Sequence, residues 1–249
     1  MDWSVLLVVA GAAVAGLVQG LSGFAFGLVA MAFWAWALAP QVAGPLVVLA
    51  SIVGQALTIG TVRKAFSLSR ILPFVVGGIA GIPIGVAILK SIDLTAFRLV
   101  VGIVLLVIPS VLLAAANLPK LVAGGRLADG GIGFVGGVMG GIGGLSGAVP
   151  TLWITLRGWK KDAQRAAIQA FNLAMHIVTL AVYAATGVLT RETGWLFLVV
   201  APVVVVAALA GARLYRKASE AAFRRLVLVL LALSGAGLLA GAVREMLAG

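Results

Sequence analysis

The chain has 249 residues, 63% of them hydrophobic and only 10% charged, with a mean hydropathy of +1.21. Soluble domains carry about a quarter of their residues as charges, so a water-soluble fold is excluded. The net charge of +11 comes from cations scattered over short loops between apolar runs; that distribution suits the cytoplasmic edge of a bilayer and not a nucleic-acid surface. With no cysteine and a single histidine, disulfides, thiol catalysis and His- or Cys-rich metal centres are excluded as well.

From Ser4 to Val62 there is no Asp, Glu, Lys, Arg or His, and a helical crossing needs about 20 apolar residues. The runs are continuous, not alternating, which rules out a β-barrel. Eight apolar segments follow in order, near 4–38, 41–62, 71–89, 95–116, 131–156, 166–188, 194–212 and 224–243. The start, Met-Asp-Trp-Ser, lacks the basic region of a signal peptide, so the first segment is expected to stay in the protein. That segment is too long for one crossing and is interrupted by Gly20-Leu21-Ser22-Gly23. The fifth is interrupted by G-G-I-G-G-L-S-G-A-V-P at 140–150, residues ill suited to a helix interior. Each break is expected to separate two short helices. For the fifth segment these are 131–142 and 148–157, about 17 Å each, with the turn near the bilayer midplane.

The two halves resemble each other. A shift of 121 places Gly20-Leu21-Ser22-Gly23 on Gly141-Ile142-Gly143-Gly144, Ser51 on Asn172 and Gln55 on His176; a shift of 126 places Gly85 on Gly211 and Phe97-Arg98 on Phe223-Arg224. The domain reading is a first transmembrane repeat at 1–116, a linker loop at 117–130 and a second repeat at 131–249. If all eight segments cross once, Lys and Arg divide 11 against 7 between the two sides; if the broken segments enter and leave on one side, they divide 14 against 4. The positive-inside rule favours the second arrangement. The expected fold is therefore an all-α polytopic membrane protein of two inverted repeats, each a re-entrant broken segment plus three spanning helices. The alternative is eight single crossings. Both put the termini outside, and a bacterial cytoplasmic (inner) membrane is the expected location.

The motifs GLVQGLSGFAFGLVAM (16–31), GGVMGGIGGLSGAVPTLW (136–153) and RAAIQAFNLAMHIVTL (165–180) resemble those of the TauE/SafE family of membrane anion permeases. The resemblance covers most of the chain as two four-segment repeats. It implies movement of small sulfur-containing anions or organosulfonates, such as sulfite or sulfoacetate.

The residues themselves suggest how an anion would be held. Irregular backbone persists in hydrocarbon only where protein or a wet cavity covers it, and loose N–H groups beside a helix N-terminus attract anions without a charged side chain. The candidate binding set is Ser22 and Gly23 at the first break, Gly143, Gly144, Ser146 and Gly147 at the second, and Ser51, Gln55, Asn172 and His176 on neighbouring helices. Positions 172, 176 and 179 share a helical face, as do 51 and 55. The competing reading is packing for the glycines and interhelical hydrogen bonding for the polar residues. Gln19 and Thr179 divide evenly between the two readings, and Gln169 is read as structural. His176 is the one deep titratable group and the candidate proton carrier. No Asp or Glu lies inside an apolar segment, which argues against a dedicated cation pathway. No nucleophile–base or metal-ligand constellation suggests an enzyme, and no cofactor is expected. The rival functional class is a channel-like facilitator of a small anion or neutral solute. Trp3, Trp159 and Trp195 read as interfacial, Trp34 and Trp36 as lipid-facing.

Overall fold

The computed structural model describes residues 3–22, 25–58, 60, 67–115, 120–121, 124–214 and 220–248. Ten helices account for nearly all of them: α1 (Trp3–Ser22), α2 (Phe26–Ala37), α3 (Pro40–Thr58), α4 (Leu68–Ser91), α5 (Leu94–Ala114), α6 (Arg126–Gly143), α7 (Ala148–Leu156), α8 (Lys161–Ala185), α9 (Arg191–Leu214) and α10 (Glu220–Ala248). Seven of these, α1, α3, α4, α5, α8, α9 and α10, are long and apolar enough to cross a membrane. The protein is an all-helical polytopic membrane protein. α6 begins at Arg126, inside the stretch read from sequence as linker.

Both broken segments fold back on themselves. The indole Nε1 of Trp34 in α2 donates to the carbonyl of Val8 in α1 at 3.0 Å. Trp153 and Arg157, at the end of α7, both reach Asp129 near the start of α6. The limbs are unequal, however. At 1.5 Å per residue the 20 residues of α1 and 18 of α6 span about 30 and 27 Å, against about 18 and 14 Å for α2 and α7. The expectation of two half-length limbs is corrected. α6 runs through its glycine pairs because a neighbouring backbone, not side-chain propensity, holds them helical.

That neighbour is α4, in the most extensive helix contact of the fold. A Cβ at Gly133 would overlap the backbone of Phe74, one at Gly137 that of Gly78, and one at Gly141 that of Ile82. The constant offset means α4 and α6 run parallel, backbone against backbone, as small residues permit in membranes. α1 lies on α9 in the same manner, Gly16 against Val204 and Gly20 against Ala208. The details recur. A Cβ at Gly85 would meet the Val138 carbonyl and Gly141 Cα, and one at Gly211 the Leu17 carbonyl and Gly20 Cα. Leu17 and Val138, and Gly20 and Gly141, are pairs that the 121-residue shift equates, and Gly85 and Gly211 are a pair of the 126-residue shift. α5 and α10 instead run antiparallel, Arg98 paired with Glu245 at one end and Gly102 against Gly235 further along.

Two apolar clusters fill the interior. One joins α1, α2, α3 and α5 around Phe26, Met31, Trp34 and Phe97, and the other joins α4 and α8 around Phe74, Ile82, Phe171 and Met175. Trp34 is fully buried and stands edge-on to Phe26, so its lipid-facing assignment is wrong. The Val8 carbonyl gives its N–H the partner that a buried indole requires. Trp3, Trp36 and Trp195 are exposed.

The α4–α6 seam sets a stability expectation. Gly81→Ala, whose Cβ would overlap the Phe134 carbonyl, should cost about 1–3 kcal/mol by overpacking. Gly131→Ala, with nothing within 4 Å, should stay within about 0.5 kcal/mol of the parent. Unfolding of the purified protein in detergent measures both.

Candidate functional site

The second break is closed by a left-handed residue. Gly144 has φ 67° and ψ 18°, a conformation that glycine adopts without steric cost. Its N–H returns to the Gly140 carbonyl at 2.8 Å, and that of Leu145 to Met139 at 3.3 Å. The chain turns through Ser146 and Gly147, and α7 starts at Ala148, whose N–H bonds the Leu145 carbonyl.

This turn strips two carbonyls of their usual helical donors. The Gly141 carbonyl would take the N–H of Leu145, which has gone to Met139; the Gly144 carbonyl would take that of Ala148, which has gone to Leu145. Two α8 side chains replace them. Tyr183 Oη donates to Gly141 at 2.7 Å, and His176 Nε2 to Gly144 at 3.1 Å. A carbonyl only accepts, so Nε2 carries the ring proton. His176 Nδ1 lies 3.3 Å from Gln55 Oε1 on α3, so the residues that the repeat shift equates touch one another. Sequence reasoning did not single out Tyr183; its spacing of four and seven residues from Thr179 and His176 on one face was the available signal.

The other candidates are distributed around the turn. Asn172 is 2% exposed, and a Cβ on Gly147 would come 2.5 Å from its Nδ2 and 2.6 Å from its Oδ1. The missing side chain at Gly147 is therefore what seats Asn172 against the break. Ser146 is fully buried and its hydroxyl lies over Gly140. Gly143 is buried beside Met31 of the first hairpin. Ser51 is fully buried one turn from Gln55 on α3, toward Pro40. The two breaks also adjoin: a Cβ at Gly27, on the first turn of α2, would stand 2.8 Å from the Gly144 carbonyl.

At the first break Ser22 is engaged locally, its hydroxyl donating to the Val18 carbonyl at 2.8 Å and accepting from Ala25 N–H at 3.4 Å. Gln19, fully buried, accepts the Phe26 N–H at 3.3 Å and so serves the break itself. Gly23 lies outside the described residues.

Buried polar atoms almost always find hydrogen-bond partners. Here Ser51 Oγ, Ser146 Oγ, Thr151 Oγ1, Asn172 Oδ1, Thr179 Oγ1 and both amide atoms of Gln169 have none among the described residues. Three of these residues, Ser51, Ser146 and Asn172, belong to the candidate binding set, and Thr179 is one of the two divided evenly between site and packing. Gln169, read as structural, has no structural bond, and Thr151, on α7, was not considered. Gln169, Asn172, His176 and Thr179 form one polar stripe along α8 by their three- and four-residue spacing. Among the described residues, no group of three or more His, Asp or Glu could hold a metal ion.

A polytopic bundle with two back-folded broken segments and polar side chains at the breaks is an architecture found among membrane permeases. The family model described as Sulfite exporter TauE/SafE matches residues 8–238, and the chain belongs to that family. No curated protein and no solved structure matches the chain.

The two replaced carbonyl partners carry an expectation. His176→Leu leaves the Gly144 carbonyl and the Gln55 amide without their partner, and should lower stability by about 1–3 kcal/mol. His176→Gln, which retains a donor, should lose less. Thermal unfolding in detergent separates the two variants.

Proposed function

We propose that the protein carries a small oxyanion across the bilayer by alternating access, at a site between the two hairpin breaks. The substrate class is sulfur-containing oxyanions or organosulfonates, with sulfite and sulfoacetate as the first candidates, in keeping with the family. The observation that carries the site is the concentration of buried, unpartnered hydroxyl and amide groups beside Gly144–Gly147. The hydroxyls of Ser51 and Ser146 and the amide nitrogen of Gln169 are donors that can replace the hydration shell of an anion, and Asn172, whose unpartnered atom is the acceptor Oδ1, would do so through its Nδ2. Ser51, Ser146, Asn172 and Gln169 are the assigned contacts. Gln55 and His176 are engaged with each other and with the break, so they position it.

The inverted-repeat reading has support in helix directions. α4 runs parallel to α6 and α1 parallel to α9, whereas α5 and α10 are antiparallel. α3 and α8 also run oppositely, Gln55 meeting His176 while Gly44 meets Tyr183. Such exchanged and self-paired contacts are those of two halves related by an axis in the membrane plane. Among the described cations, Arg70, Arg126, Arg157, Lys160 and Arg165 lie at one end of the bundle, and Lys90, Arg98, Arg191 and Arg244 at the other. We read the first end as cytoplasmic, with the breaks as re-entrant hairpins and the termini outside, in a bacterial inner membrane.

Flux into proteoliposomes loaded with sulfite, sulfoacetate, thiosulfate or taurine tests the function. Saturable flux with counterflow of at least one sulfur oxyanion is expected, and a non-saturating flux would replace the carrier with a channel-like facilitator. Ser146→Ala and Asn172→Leu should each weaken the apparent affinity about tenfold or more, the loss of one hydrogen bond to a charge. No flux from folded protein with any of the four would refute the proposal. Gly144→Leu is a poor probe, because its Cβ would lie 2.6 Å from Val47 at a positive φ.

His176 is assigned the proton coupling. A half-turn of the Gln55 amide presents Nδ1 with either an acceptor or a donor, so both ring states keep a partner. His176→Gln should transport without responding to an imposed pH gradient, and an unchanged response removes this role.

A further inference from the structure

A separate cavity of about 620 Å³ opens at the cationic end of the bundle. Among the described residues its walls carry Arg70, Arg126, Arg157 and Lys160, with Asp129 the one carboxylate and Trp159 the one aromatic. Asp129 is already committed: its Oδ1 accepts from Arg157 Nη1 and from Trp153 Nε1, both at 2.8 Å. Arg157 is thereby braced, with its guanidinium carbon 5.8 Å from the Trp153 ring. The Arg70 guanidinium is held over Trp159 at 5.6 Å. Among the described residues Arg70, Arg126 and Lys160 form no ion pair. The cavity therefore keeps a large excess of positive charge, part of it on oriented guanidinium planes suited to oxyanions.

The backbone adds to it. α4, α6 and α8 all begin here, after Ser67, Gly125 and Lys160, and none has a side-chain cap on its first turn. Three helix N-termini thus bring their positive ends and free amides to one place. Beside them Leu68, Leu72 and Leu127 are exposed, an apolar margin on which acyl chains can lie.

We propose that this cavity is a second anion site, for a phosphate-class oxyanion, independent of the deep break. The exposed leucines favour an acidic phospholipid headgroup as its source, and a free anion is the other source of the same chemistry.

The test titrates the purified full-length protein, in a zwitterionic detergent, with short-chain phosphatidylglycerol and separately with inorganic phosphate, followed by calorimetry. Saturable binding of one or both is expected, weakening as salt is raised. Tighter binding of the lipid identifies a headgroup site, and equal or tighter binding of phosphate a free-anion site. Arg70→Gln/Arg126→Gln should bind at least about tenfold more weakly. Should that variant not fold, Lys160→Gln, at an exposed position outside the helix interiors, should bind about fivefold more weakly. Failure of both probes to bind, or binding by the folded variants as tight as by the parent, overturns the proposal. Because the readout is binding and not flux, its failure leaves the transport site untouched.

Discussion

A backbone carbonyl that leaves a helix inside a membrane has no water to turn to, and the bundle is organised around meeting that requirement. The break after Gly144 frees two carbonyls, and His176 and Tyr183 on α8 take them. At the first break Gln19 takes the loose Phe26 N–H. Each unmatched backbone group in hydrocarbon costs several kcal/mol, so such side chains are conditions for having a break at all. Their positions then dictate which helices pack together. α8 must lie against the second hairpin with a polar stripe facing it, and α3 must bring Gln55 to the remaining nitrogen of His176.

This requirement sharpens the distinction between polar residues that hold the break and those left with unused bonding capacity beside it. His176, Tyr183 and Gln19 each bond a backbone group at a break, and Ser22 is bonded within its own turn. Ser51, Ser146, Asn172 and Gln169 are as deeply buried and have atoms with no partner among the described residues. Both groups look alike in sequence, as polar letters in apolar text. Only the hydrogen-bond geometry separates them.

Much of the fold was legible because membrane burial writes long uninterrupted apolar runs. The absence of charge from Ser4 to Val62 and the glycine clusters at both breaks were sufficient for helices and interruptions. The repeat shift placed Gln55 and His176 at equivalent positions but gave no reason for them to touch, as they do. Limb lengths were misread because helix propensity was applied to glycines whose conformation is set by α4. Gly133, Gly137 and Gly141 are helical through contact with Phe74, Gly78 and Ile82, residues some sixty positions away. Trp34 was misplaced for a related reason. A tryptophan in an apolar run has the same local text whether it faces lipid or the Val8 carbonyl.

The two halves share a scaffold and differ in chemistry. The positions equated with Asn172 and His176 are Ser51 and Gln55, shorter or neutral groups. Gln19 stands where the second half has Gly140, and it fills from its own helix the role that α8 fills at the second break. Gly140 in turn leaves the space in which the Ser146 hydroxyl lies, and the counterpart of Ser146 in the first half by the same shift is Ala25. A symmetric pair of breaks would offer two equivalent anion positions facing each other, with mutual repulsion if both were filled. On the proposed reading, concentrating the amide, imidazole and hydroxyl groups on α8 and the second hairpin would leave one favoured position. The first hairpin would then be the wall beside it, with Gly27 set beside the Gly144 carbonyl. The helix contacts recur between the two halves, and the side chains at the breaks do not, so a carrier built on them would hold one anion and not two.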